Sequence, residues 1–183
     1  MGLDVYVGPL SRYCAGKGVV AWRGELSRAL GQRLSWNEDL DTPCYTQRVC
    51  PEPYACLQVL AAAVDRGGDD LSEDEVPEGH NDHPVWRAAA TSDSPRFPHV
   101  YFPAMWLPCD FDPTITAKDP SGRHGAIGSS VWLLRELREI SMRTDAGAKY
   151  GGEFGEAAGV ALAVFLELAE KSATRRLPMC LDF

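Results

Sequence analysis

The sequence predicts an α+β fold: a mixed sheet that includes both chain termini, covered by about four helices, with a long acidic surface loop. Three observations carry this reading. Leu3, Val5 and Val7 alternate with Asp4 and Tyr6, the period of a half-buried strand, and Gly8 and Pro9 stop it. Leu177 to Phe183 reads as a closing strand at the other end of the chain. Between them, helical and strand-like segments alternate too irregularly for repeated βαβ units, which excludes a doubly wound parallel sheet. The 183 residues suit one domain spanning 1–183, and 45% hydrophobic with 24% charged residues is ordinary for a soluble globular fold.

The first helix is expected from about Val20 to Leu34, where Trp22, Leu26, Ala29, Leu30 and Leu34 recur at helical spacing despite Gly24 and Gly31. From Ser35 to Pro51 the pattern lapses into a polar loop holding Trp36 and Tyr45. A second helix has Pro53 near its first turn, Tyr54, Leu57, Leu60, Ala61 and Val64 on one face, and Gly67 past its end. Residues 67–97 read as a long, acidic, proline-containing surface loop, with a short helix around Trp86 to Ala90. Val100 to Phe102 and Met105 to Leu107 are strand-like but punctuated by Pro103 and Pro108, which suits an edge or irregular strand. Another short strand is expected over Thr114 to Lys118, then a glycine-rich turn, SGRHGAIGSS. Leu133, Leu134, Leu137 and Ile140 form the apolar face of the next helix. The last helix stacks Phe154, Ala158, Ala161, Phe165 and Leu168.

Charge is concentrated in one place. The net charge is −8, and the stretch from Asp65 to Asp82 holds eight acids against Arg66. The rest of the chain is nearly neutral, and no Lys/Arg block with interleaved aromatics is present to neutralise phosphates, so nucleic acid is not the expected ligand. No apolar run reaches the roughly 18 to 20 residues that span a bilayer, and Tyr6 stands where a myristoylation motif wants Ser or Thr, so no membrane association is expected. MGLDVYVGPL lacks the features of a secretory signal, which favours a cytoplasmic location with reduced thiols. Cys44, Cys50 and Cys56 are spaced C-x5-C-x5-C, which matches no common zinc pattern.

Four constellations bear on function. Gly122, Gly125 and Gly128 lead through Ser129 and Ser130 into a helix. Glycines let backbone approach an anion, a helix N-terminus offers free N–H groups, and Arg123 and His124 add charge. The string has no P-loop lysine, and its G-x2-G-x2-G spacing is not that of a dinucleotide fingerprint, so a capped turn is the plainer reading. His80, Asp82 and His83 form H-x-D-H beside an acid cluster, and Asp110, Asp112 and Asp119 form a second acid set. Neither has the rigid surroundings or the spacing of a metal centre, and no metal or cofactor is expected. Cys14 with His124, oriented by Asp4 or Asp119, has the chemistry of a nucleophilic triad, but nothing in the sequence brings these residues together. Arg12 and Tyr13 follow the first strand and suit recognition of a carboxylate or a protein surface at a strand end.

The opening MGLDVYVGPLSRYCAG resembles the start of small bacterial proteins of unassigned function that begin M-G-L-D-V/I-Y-x-G-x-L-T/S-R-Y-Y, with Cys14 in place of their second tyrosine. AIGSSVWLLRELREI is similar to a helix these proteins carry after a glycine-containing turn. The resemblance covers roughly a third of the chain, implies a bacterial cytoplasmic protein and supplies no catalytic residues. By size and charge alone, the chain also resembles immunity proteins that neutralise toxins. The expected function is therefore a non-catalytic, immunity-like interaction module that presents Asp69, Asp70, Glu73, Asp74, Glu75 and Trp86 to a basic protein partner. The alternative is a small enzyme or ligand-binding protein with an anion site at the Gly122–Ser130 turn, formed by Arg123, His124, Gly125, Gly128 and Ser129.

Overall fold

A computed structural model describes residues 3–14, 16–67, 83–145 and 150–182. The fold is α+β, with one six-stranded mixed sheet whose strands come from both ends of the chain. The strands are β1 Leu3–Val7, β2 Tyr45–Val49, β3 Pro103–Leu107, β4 Ile115–Lys118, β5 His124–Ser129 and β6 Met179–Asp182, in the order β2-β1-β6-β3-β5-β4. Both termini meet in the antiparallel β1–β6 pair, in which Val5 faces Leu181 and Val7 faces Met179. The β3–β5 pair is parallel, and the remaining pairs are antiparallel.

The helices are α1 Gly16–Ala29, α2 Pro51–Asp65, α3 Pro84–Ala90, α4 Pro98–Tyr101, α5 Ser130–Asp145 and α6 Gly152–Arg175. Against about four expected, the described residues hold these six because two short ones, α3 and α4, join the four long ones. The sheet divides them into layers by strand alternation. Leu3, Val5, Val7, Trp106, Met179 and Leu181 turn to one face and share a core with α2, α5 and α6. Met105, Leu107 and Ile127 turn to the opposite face and pack with Leu10, with Val19, Trp22 and Leu26 of α1, and with Leu34 and Trp36. Helix α2 is buried on nearly every side, as a helix enclosed between a sheet and other helices must be, and its run Ala61–Ala63 allows α6 to approach closely.

Several expectations are corrected. Helix α1 starts and stops earlier than its apolar pattern suggested. Gly31 at φ +64 ends it in a left-handed turn, and Leu34 reaches the core from extended chain, its N–H held by Ser27 Oγ at 3.1 Å. The stretch expected as a polar loop contains β2, an edge strand. Tyr45 and Gln47 lean toward α6, where Gln47 reaches Glu167 and Lys171 lies over the Tyr45 ring, while Thr46 and Arg48 face water. Val100 and Tyr101 belong to α4, because Pro98 starts a helical turn whose first N–H groups, those of His99 and Val100, bond to Glu136. Strand β3 is interior rather than at an edge. Pro103 opens it next to an irregularity in its register, and Pro108 lies just beyond its end, so neither ring interrupts the ladder between β6 and β5. The expected glycine turn is mostly strand β5, and the actual turn is Asp119–Arg123.

Candidate functional site

The α1 face of the sheet is only partly covered. Trp22 Nε1 donates to the Lys118 carbonyl at 2.6 Å, which fixes α1 over β4. Beside it, a cavity of about 180 Å³ opens between the β4–β5 hairpin and the segment that follows β1. Leu10, Met105, Ala117 and Ile127 form an apolar floor. Tyr6, Tyr13, Cys14 and Cys180 form one wall, with the Tyr6 and Tyr13 rings edge to face at 4.1 Å. Asp119, Arg123, His124 and Gly125 form the opposite corner.

Each wall is held by local chemistry. Glu38 accepts from the backbone N–H groups of Leu10 and Ser11, from Ser11 Oγ at 2.7 Å and from Trp36 Nε1, and so anchors the turn that carries Tyr13 and Cys14. At the hairpin, Asp119 Oδ1 accepts from Ser121 N, Ser121 Oγ and Arg123 N, and Oδ2 pairs with Arg123 Nε at 3.3 Å. Partial burial pushes the Asp119 carboxyl up, but these bonds from Ser121 and Arg123 outweigh it and hold the group below its ordinary value. Gly125 lies opposite Ala117 and two residues before Ile127, so it presents its missing side chain to the cavity face. A Cβ built there meets nothing within 4 Å.

Residues from two of the sequence constellations thus meet in one place: Tyr13 and Cys14 from the strand-end loop, and Arg123, His124 and Gly125 from the glycine string. The other members of those sets have different roles. Arg12 is spent on structure, donating to the carbonyls of Leu40 and Thr42 and, at 2.6 Å, to Cys44 Sγ. Gly128 is sealed inside β5, where a Cβ would meet Trp106 Cδ1 at 2.7 Å and His99 Nδ1 at 2.9 Å. Ser129 is buried, accepts from Trp132 N at the start of α5 and donates to the Cys109 carbonyl, so the capping reading of the serine holds. The glycines and the helix N-terminus therefore do not form one anion cradle, because a full strand separates the Arg123–His124 corner from α5.

Asp69, Asp70, Glu73, Asp74, Glu75, His80 and Asp82 lie outside the described residues. Trp86 on α3 is half-buried and packs against the main core, so it is not presented to solvent as an anchor would be. His83 caps α3, its Nδ1 accepting from Val85 N. Asp110 pairs with Arg135 and receives Trp132 Nε1, well apart in role from Asp119. Among the described residues no group of three or more His, Cys, Asp or Glu side chains is placed to hold a metal ion. All six cysteines are free thiols.

Cys14, His124 and Asp119 share the cavity, as the triad reading required, but their electrostatics run against it. Burial pushes the Cys14 thiol up and the Asp119 charge pushes it further, whereas a catalytic cysteine needs a depressed pKa. Sequence reasoning missed the apolar and aromatic lining, among it Tyr6, Met105, Ala117, Ile127 and Cys180. The strand alternation that turns Tyr6 away from Val5 and Val7 was the one available signal.

A second polar cluster lies beneath the sheet end. His99 is fully buried, with Nδ1 accepting from Ser129 N at 3.0 Å and Nε2 donating to the Asp112 carbonyl at 2.6 Å, a pattern that only the neutral ring satisfies. Burial lowers its pKa. Burial also pushes the Glu136 carboxyl up to about 9, against the opposing pull of the His99 and Val100 N–H groups. Trp106 Nε1 donates to the His99 carbonyl at 2.8 Å and completes the cluster, which has a structural role in tying α4 and α5 to β3 and β5.

No family model, curated protein or solved structure matches this chain. The fold and cavity define the class that the structure itself supports: an α+β domain with a small, mainly apolar cavity on one face of its sheet.

Proposed function

We propose that the protein binds a small organic molecule in the cavity on the α1 face of the sheet. The observation that carries this reading is the convergence of residues distant in sequence, Leu10 to Cys14, Met105, and Ala117 to Ile127, on an apolar floor with a charged corner. Ligand sites are typically concave, mainly apolar and furnished with a few polar groups that set orientation. The size suits a compact molecule, since an engineered apolar cavity of about 150 Å³ accepts benzene. Catalysis is not part of the proposal, because the Cys14 thiol is pushed toward its neutral form.

Gly125→Leu tests the reading. Its Cβ has open space, so the variant folds, and the rest of the side chain occupies the cavity. Titration with benzyl alcohol, followed by amide chemical shifts, is expected to perturb Gly125, Ala126 and Ile127 in the parent protein and to leave the variant unchanged. A parent spectrum that does not respond to any single-ring probe would refute the proposal.

A second reading is kept on the strength of charge. Eight acids between Asp65 and Asp82 support an immunity-like module that engages a basic partner through Asp69, Asp70, Glu73, Asp74 and Glu75. A bacterial, cytoplasmic setting accompanies that reading. Neutralising those five acids to Asn or Gln is expected to slow capture of such a partner and to remove the salt dependence of its association rate. An unchanged rate at low salt would count against it.

A further inference from the structure

Resting on the ligand-binding reading, we infer that the cavity selects an organic anion, with an apolar body about the size of one ring on the Met105–Ile127 floor and its oxyanion on Arg123. Arg123 leaves part of its guanidinium unused. Its Nε is taken by Asp119 Oδ2 and Ser121 Oγ, while among the described residues neither terminal nitrogen has a partner. The side chain is 70% exposed at the mouth of the cavity, so its forked N–H groups are free to receive a carboxylate or phosphate in bidentate geometry. Asp119, the one acid among the described lining residues, keeps a negative charge that opposes an anion close to it, so the favourable position lies on the guanidinium's terminal nitrogens, away from the carboxylate. Both of its oxygens are already committed, to Ser121 and to Arg123 itself, and this holds the guanidinium in place. The His124 ring places a further N–H donor at the same corner. Among the described residues the remaining walls are aliphatic, aromatic or thiol side chains, which reward an apolar body.

The selection is one of charge position. An apolar body gains from the floor wherever it comes from, but only an anion whose head group projects toward the hairpin also gains the guanidinium. Carboxylate and phosphate esters share that chemistry, and the test separates them.

Binding of benzoate, phenyl phosphate and benzyl alcohol to the full chain and to Arg123→Gln is measured by calorimetry or chemical-shift titration. Arg123→Gln leaves the turn formed, because the Arg123 backbone N–H still bonds to Asp119. The expected result is that benzoate or phenyl phosphate binds the parent more tightly than benzyl alcohol does. Arg123→Gln should weaken the anion about ten-fold or more, as the loss of a charge-assisted pair would, and leave benzyl alcohol unchanged; whichever anion shows this loss identifies the head group. If all three bind and Arg123→Gln changes none of them, the anion inference is overturned while the cavity reading stands. If none binds, both are overturned.

Discussion

Glu136 provides a stability prediction whose sign and size follow from its surroundings. Its carboxyl is buried against α4, with burial raising its pKa to about 9, far above the 4.5 of a free glutamate. Between those values the folded protein holds one proton more than the unfolded chain, so this group's contribution is full below pH 4.5 and declines as pH rises toward 9. The decline approaches about 1.4 kcal/mol per pH unit in the middle of the window. His99 works in the opposite sense. Burial depresses its pKa, so protonation of the unfolded chain costs stability only as pH falls below 6.5, and measurements above pH 7 avoid it. Glu136→Gln mimics the protonated carboxyl and cannot ionise. It places an amide NH2 toward one of the two backbone N–H donors, at a cost of about 1 kcal/mol that does not vary with pH. Urea unfolding of both proteins from pH 7.0 to 8.5, followed by tryptophan fluorescence, is expected to show the parent losing about 2 kcal/mol more than the variant. Burial raises the Cys14, Cys56 and Cys109 thiols, so their ionisation in the unfolded chain adds a pH dependence that is common to both proteins and cancels. Parallel pH profiles would show that Glu136 is already ionised at pH 7 and that its environment is more polar than the packing implies.

The remaining predictions concern packing and the walls of the cavity. Gly128→Ala forces a Cβ to within 3 Å of Trp106, Pro103 and His99, and is expected to cost about 1–3 kcal/mol in chemical denaturation, whereas Gly125→Ala, with open space, stays within about 0.5 kcal/mol. Glu38→Ala removes the acceptor of four donors around Leu10, Ser11 and Trp36, and is expected to cost about 2 kcal/mol or more and to accelerate hydrogen exchange at Leu10 and Ser11. Cys14 is expected to react with iodoacetamide at pH 7 more slowly than free cysteine, because burial first and Asp119 second raise its pKa; a faster reaction would reopen the nucleophile reading.

What the sequence revealed and what it concealed have physical causes. Helices α2 and α6 were legible because Leu57, Leu60 and Val64, and Ala161, Phe165 and Leu168, repeat at helical spacing along buried faces. The place of both chain ends in the sheet was legible, the first from the alternation of Leu3, Val5 and Val7, but their pairing with each other was not. Strand β2 was hidden because an edge strand needs few apolar residues, and Thr46, Gln47 and Arg48 look like loop. Strand β5 was hidden because its glycines serve close packing at Gly128 and an open cavity face at Gly125, and both resemble turn chemistry in a one-dimensional string. Helix α4 was hidden because its four residues depend on a distant carboxylate, that of Glu136, to satisfy their N–H groups. The cavity was the least legible feature. Tyr13 and Arg123 were each flagged, but only the strand order β1-β6-β3-β5-β4, a property of non-local pairing, places them around one space.

The accessibility of this space to a ligand underlies both the binding and the anion readings. Intermolecular NOEs to a saturating single-ring probe, benzyl alcohol or benzoate, test it most directly. Contacts from the probe to the Met105 and Ile127 side chains are expected, and Gly125→Leu should abolish them. Probe contacts confined to other surfaces, or none at all with these side chains still folded and buried, would contradict it.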